Sequence, residues 1–254
     1  MTPDQRVARA RAELDAVRRD TAEALKAARD RSRGALVRRL HELTRMLDAT
    51  YPYTSQAGQD AVVDRLMDGR AGTFVDVGGY DGVSGSNTLF LESRRGWTGI
   101  LVEPVPAQLA RAQAARRCPC LPYAVAPEDG EADMVVVESG YTQMSGLKAT
   151  YDPRLLGQVR ADPRHKERTI RVPTRTLSRL LLDAGLPHPD FLSLDIEGGE
   201  EAALAAFPFD RHKVRLWAIE NNGGGPGIAA IMRAAGHELV ELCGPDEVWR
   251  LRGL

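Results

Sequence analysis

The stretch Thr73-Phe-Val-Asp-Val-Gly-Gly-Tyr-Asp-Gly82 constrains this chain more than any other. Its first half is β-branched and aromatic and predicts a short buried strand. It then breaks into glycines, with Asp76, Gly78 and Gly82 spaced as D-x-G-x-x-x-G. Glycines at the carboxyl end of a strand permit a tight turn and bring backbone N–H groups close to a ligand. In open α/β sheets nucleotide-like ligands bind beyond that strand end. A plain turn uses the same glycines, so the downstream segments decide between the two readings.

Three further segments repeat the design. Trp97-Thr-Gly-Ile-Leu-Val-Glu103-Pro104 is a buried strand ending in one acid. Asp190-Phe-Leu-Ser-Leu-Asp-Ile-Glu-Gly-Gly-Glu200 delivers Asp195 to a glycine turn, and Val214-Arg-Leu-Trp-Ala-Ile-Glu220 delivers Glu220 beside Asn221. Helical periodicity lies before the first of them, over residues 62–67, and between them, over 89–91, 106–116 and 177–181. Strands alternating with helices predict an α/β domain. Glu103 follows Asp76 by somewhat more than the roughly 20 residues usual for an acid that holds ribose hydroxyls. Its two acceptor oxygens suit a vicinal diol. Solvated strand ends do not require an acid each time, so converging carboxylates imply a polyhydroxyl ligand, a cation, or both. For Glu200 and Glu201 the plainer role is to complement a helix N-terminus, and for Ser86 or Asn87 it is to cap the helix that follows.

Shorter strands are expected over 120–125, 133–138 and 169–172, and a hairpin over 237–251 closes the sheet's edge. The segment 139–168 has few apolar periods, and a loop of that length is expected to carry function as an active-site cover. Tyr141, Gln143, Met144 and Ser145 are the candidates for that cover.

A chain of 254 residues and 27.8 kDa holds one such domain with an appendage. The appendage is residues 1–49, rich in Ala, Arg, Asp and Glu, and the domain is 50–254. A thin apolar stripe runs through Val7, Leu14, Val17, Thr21, Leu25 and Ala28, and a second through Leu36, Leu40, Leu43 and Leu47. Gly34 is placed to break the helix between them. The arm is read either as a long solvated helix on the domain or as an antiparallel hairpin or coiled coil that mediates homo-oligomerisation. A net charge of −1 argues against a general nucleic-acid binder. No run of about 18 apolar residues exists and the N-terminus is polar, so neither a membrane span nor a signal peptide is expected. Three cysteines, Cys118, Cys120 and Cys243, fit reduced thiols in a cytoplasmic protein.

Taken together, Phe74-Val-Asp-Val-Gly78, Ser86-Asn-Thr88, Trp97-Thr-Gly-Ile-Leu-Val-Glu103-Pro104 and Leu192-Ser-Leu-Asp-Ile-Glu-Gly198 resemble an FkbM-type S-adenosylmethionine-dependent methyltransferase. Gln56-Ala-Gly-Gln-Asp60 also matches a common opening of that family. The resemblance runs from about Tyr53 to Glu220 and leaves the arm outside. It implies a class I methyltransferase (Rossmann-like) fold, a sheet of about seven strands with the last antiparallel. Asp76, Gly78 and Gly82 would then shape the turn around the methionine part of the cofactor, with Gly79, Tyr80, Asp81 and Asn87 beside them. Glu103 and Pro104 would lie at the ribose, Ala124 near the adenine, and Asp195 where the methyl group meets the acceptor. The acceptor implied is a hydroxyl of a sugar, polyketide or other natural product. Tyr141, Gln143, Ser145 and His165 are its candidate contacts, and Asp195 and Glu197 the catalytic candidates.

Methyl transfer needs alignment of donor and acceptor and removal of the acceptor's proton, by a base or a metal. Asp195, Glu220 and Asn221 resemble the oxygen ligand set of magnesium-dependent O-methyltransferases, which suits Mg2+. The departure is Gly198, where some of those enzymes carry a Lys or His base; Glu197 and His165 are the local substitutes. Two other functions compete. An NAD-dependent oxidoreductase is disfavoured, because the turn is not G-x-G-x-x-G and no Tyr-x-x-x-Lys pair follows. A non-catalytic partner subunit would use the helical arm and keep the cofactor fold as a scaffold.

Overall fold

Two antiparallel helices form the arm, α1 (Pro3–Ala27) and α2 (Ser32–Leu47). Residues 1–253 are described by the computed structural model. Thr2 and Gln5 close a reciprocal capping box at the start of α1. The Arg11 guanidinium donates to the Leu47 carbonyl and Arg33 to the Leu25 carbonyl, which ties the helices at both ends. The chain reverses over 28–31, not at Gly34. Gly34 lies inside α2, and its carbonyl accepts the Gly244 N–H at 2.9 Å. A Cβ at Gly34 would collide with the Gly244 carbonyl oxygen, so this glycine serves close docking on the domain. Ion pairs Arg31–Glu247 and Arg33–Glu241 hold the same face. Of the stripe expected on α1, only Thr21 is buried, whereas Val7 and Val17 face solvent.

Helix α3 (Gln59–Leu66) leads into β1 (Thr73–Val77). Then come α4 (Leu89–Arg95), β2 (Thr98–Val102), α5 (Pro106–Ala115) and β3 (Cys120–Leu121). The single strand expected over 120–125 is two. Pro122 has no N–H to give a ladder, and after it β4 (Ala124–Val125) leaves the main sheet to pair with a second one. That second sheet holds β5 (Gly130–Ser139), β6 (Gly146–Leu147) and β7 (Lys166–Arg175) in the order β4-β7-β5-β6. The stretch expected as one long loop therefore carries β6, the helix α6 (Pro153–Arg160) and the start of β7. Asp152 caps α6 by accepting the N–H groups of Arg154 and Leu155, and Pro153 occupies its first turn.

After α7 (Leu177–Asp183) come β8 (Phe191–Leu194), α8 (Glu200–Ala205), β9 (Leu216–Ile219), α9 (Gly227–Ala234), β10 (His237–Cys243) and β11 (Asp246–Leu251). The main sheet has the order β10-β11-β9-β8-β1-β2-β3, and β11 alone runs antiparallel to its neighbours. This is the seven-stranded class I methyltransferase sheet that the resemblance implied. Strand residues alternate between two cores. Val75, Val77, Leu192, Leu194 and Trp217 face α7, α8 and α9, while Phe74, Phe191 and Leu216 face α3 and α4. From β1 the chain runs outward to β2 and β3, then returns across β1 to β8. The strand order thus reverses between β1 and β8, where their carboxyl ends leave a crevice. No helix among the described residues is long and apolar enough to cross a membrane.

Candidate active site

The turn after β1 is built for contact with the rest of the sheet. Gly78 (φ +78°) and Gly82 (φ +77°) are left-handed, and Tyr80 is too at +49°. A Cβ on Gly78 would overlap the Asp195 carbonyl oxygen, and one on Gly79 would collide with the Leu101 side chain. The N–H groups of Gly78 and Gly79 both donate to the Val102 carbonyl, and that of Gly82 to Gly79. Their role is thus backbone approach and packing, and these N–H groups are not left for a ligand.

Asp76 works from below. Its buried carboxylate accepts the hydroxyls of Thr88 and Ser86 and faces Arg116 at 3.7 Å. Burial pushes the Asp76 carboxyl up, and the Arg116 charge and Thr88 hydroxyl oppose that. Arg116, itself buried, also pairs with Glu92 at 2.7 Å and donates to the Gly82 carbonyl. Asp76 therefore shapes the turn through protein partners. Asp81 caps the following bend by accepting from the N–H groups of Val83 and Ser84. Neither Asp81 nor Gly82 lines the crevice, whereas Gly78, Gly79, Tyr80, Asn87, Glu103, Pro104 and Ala124 do.

At the end of β2, Glu103 receives one backbone N–H on each oxygen, from Tyr80 at 3.0 Å and from Val105 at 2.8 Å. Burial raises its carboxyl to about 7 against those two hydrogen bonds. Gln108, in the first turns of α5, lies on the same wall; its Oε1 is buried without a partner. Sequence reading missed this residue, although its place shortly after Glu103 at a helix start was the available signal. Asn87 donates to the Ser193 hydroxyl at 2.9 Å and leaves its own Oδ1 buried and unpaired.

Asp195 and Glu220 meet beyond β8 and β9, as their strand-end positions predict. The third member is Glu197 and not Asn221. The three carboxyl groups each offer an oxygen within 4.8 Å of the others. Asn221 instead donates to the Gly225 carbonyl and to Glu247, and it does not line the crevice. Glu197 reaches the cluster because its backbone is left-handed (φ +60°), held by Glu200, which accepts the N–H groups of Ile196 and Gly198. Glu200 thus braces this turn besides sitting at the start of α8. Burial first, and neighbouring carboxylates after it, raise Asp195 to about 8 and Glu197 to about 9; Glu220 moves in the same direction. At Gly198 (φ +110°) a Cβ would stand 2.7 Å from the Thr150 carbonyl oxygen. No Lys or His base fits at that position in this chain.

The β5–β6 turn borders the crevice. Thr142, Gln143, Met144 and Ser145 line the crevice, and the hydroxyls of Tyr80 and Thr142 share a hydrogen bond at 2.7 Å. Two expected contacts fall outside it. Tyr141 is 47% exposed and does not line the crevice, and neither does His165, whose imidazole pairs with Glu167. Tyr141 lies at the exposed start of the turn after β5, whereas His165 sits just before β7 with its side chain mostly buried. Among the described residues no Lys, Arg or His lines the crevice, which carries Asp76, Glu103, Asp195, Glu197 and Glu220.

Residues 76–239 match the family model for the methyltransferase FkbM domain. No curated protein matches the chain. Among solved structures it is similar to methyltransferase FkbM from Methylobacillus flagellatus KT, with 14% identity and a TM-score of 0.47 over 91% of this chain and 58% of that one. It is also similar to a TehB-like SAM-dependent methyltransferase from Corynebacterium glutamicum ATCC 13032 Kitasato, with 14% identity and a TM-score of 0.40 over 76% of this chain and 88% of that one. The chain thus spans 58% of the length of the Methylobacillus protein.

Proposed function

The chain belongs to the FkbM methyltransferase domain family, and on that premise we propose that it methylates a hydroxyl of a sugar, polyketide or other natural product using S-adenosylmethionine. The observation that carries this reading is Glu103, a buried acid at the end of β2 beside the glycine turn, with acceptor capacity left on both oxygens.

The residues present fit the cofactor. Glu103 would accept the ribose hydroxyls. Gln108 Oε1 and Asn87 Oδ1 are buried acceptors without donors, which a ligand rich in N–H and O–H groups would satisfy. The close approach of Gly78 and Gly79 leaves no side chain over the crevice floor. An acidic wall free of basic side chains favours a positively charged ligand. S-adenosylmethionine, when bound, supplies a methyl group already activated on a sulfonium.

What this chain must then do is orient the acceptor and take its proton. Gln143, Met144 and Ser145, in the β5–β6 turn, line the crevice and would contact an acceptor that enters there. Asp195 and Glu197 stand at the open end of β8, and their raised proton affinity makes them effective bases once ionised. A positive charge nearby favours that ionised form.

Calorimetric titration of S-adenosylhomocysteine in chelator, followed by turnover of S-adenosylmethionine against a panel of hydroxylated acceptors, tests the reading. Micromolar binding and oxygen methylation are expected. Binding of NAD in place of S-adenosylhomocysteine would reassign the site to redox chemistry. Binding without turnover on any acceptor would favour a scaffold role for the domain.

A further inference from the structure

We propose that Asp195, Glu197 and Glu220 form a binding site for a hard divalent cation at the carboxyl ends of β8 and β9. Each residue contributes one oxygen, and these oxygens lie within 4.8 Å of one another. Oxygens sharing one cation at about 2.0–2.6 Å are separated by no more than about 4–5 Å, so the spacing matches a common ligand shell. An all-carboxylate donor set selects Mg2+, Mn2+ or Ca2+ over softer metals.

The other buried acids of the described chain show what is unusual about this cluster. Asp76 and Glu92 share Arg116. Glu103 and Glu200 accept backbone N–H groups. Asp60 and Asp64 take hydroxyl donors, Glu241 and Glu247 take arginines, and Asp246 takes the Gln59 amide. Glu197 has no such partner. It is only 6% exposed, lines the crevice, and leaves its Oε2 buried with no hydrogen bond. A buried carboxylate without a donor is costly unless a cation or a proton compensates it. With no basic side chain on the wall among the described residues, a small cation is the compensation the donor set favours.

Three protein oxygens fill half of a six-coordinate shell and leave the remainder to water and to oxygens of an acceptor. The role of such a cation in lowering the acceptor hydroxyl's proton affinity rests on the methyltransferase reading. Its binding does not.

The test uses the full chain and Mn2+ as probe. Free Mn2+ is counted by electron paramagnetic resonance during titration of the metal-stripped protein, and of its Glu197→Gln, Glu220→Gln and Asn221→Ala variants. One Mn2+ per chain is expected, with affinity lowered at least tenfold in Glu197→Gln and in Glu220→Gln and unchanged in Asn221→Ala. Far-UV circular dichroism and the thermal midpoint in chelator show whether each variant is folded. Should both carboxamide variants fail to fold, the wild-type midpoint decides, and a rise on adding Mn2+ is expected. Absence of bound Mn2+ in the wild type, or undiminished binding in both folded carboxamide variants, would overturn the site and leave a proton-sharing cluster. Titration of S-adenosylhomocysteine in chelator is run beside it, so that loss of the cation site and loss of the cofactor site are read separately.

Discussion

Replacing Glu103 by glutamine distinguishes a ribose-binding carboxylate from a structural one. Each Glu103 oxygen already accepts one backbone N–H, at 3.0 Å from Tyr80 and 2.8 Å from Val105. A carboxylate has about four acceptor positions, so about two remain for hydroxyls in the crevice. Hydrogen bonds to an ionised group are worth about 1.5–3 kcal/mol each. Glutamine keeps one oxygen but turns an amide N–H2 toward a backbone donor, which removes one ligand contact and displaces the other. The expected loss of S-adenosylhomocysteine affinity is about 2–3 kcal/mol, an increase in Kd of roughly 30–150-fold. The pH profile adds a second readout. Burial raises this carboxyl to about 7, so wild-type affinity should climb as pH rises through that value and the carboxylate forms, while the glutamine variant should give a flatter profile. The same shift acts on the free protein in the opposite sense. A folded-state value of about 7 against an ordinary 4.5 means that the folded chain holds the extra proton, so stability falls by about 3 kcal/mol as pH rises from 4.5 through about 7. Calorimetry across that range decides the matter. A glutamine variant that binds with wild-type affinity and an identical pH profile would remove Glu103 from the site.

Two other perturbations test how the site is held. Arg116→Met leaves Asp76 and Glu92 buried without their cation, and a loss of about 3–5 kcal/mol is expected, read as a lower urea midpoint; an unchanged midpoint would contradict the bracing role. Gly34→Ala drives a Cβ into the Gly244 carbonyl and should cost about 1–3 kcal/mol while opening the 28–31 turn to protease. Wild-type protease resistance in that variant would show that the arm docks in some other way.

How much was legible depended on the range of the interactions involved. The four acid-terminated strands could be read because each is a run of buried β-branched and aromatic residues broken by turn residues, all within about ten positions. The second sheet was harder. Residues 139–168 look irregular because β6 is only Gly146–Leu147 and α6 shows one buried residue, Val159. Those elements exist through pairing with β5 and through the Asp152 cap. Reading 120–125 as one strand passed over Pro122, and only pairing with β7 gives Ala124 and Val125 a partner. Gly34 misled for a related reason. A glycine in a helical run reads as a breaker, and here it is a contact point whose partner lies far away in sequence.

The sequence by itself determined the α/β domain, the glycine turn after β1, and the four carboxylates at strand ends, because period, turn chemistry and strand termini are local properties. The tertiary structure decided which groups remain free to act. Asp76 is occupied by Arg116, Thr88 and Ser86, and Asn221 by Glu247. The glycine N–H groups are spent on Val102. Glu197 enters the cluster through a left-handed backbone that Glu200 holds in place. Spacing in sequence cannot report these assignments, since each depends on a partner brought in by strand order and on the direction in which a single residue's backbone turns.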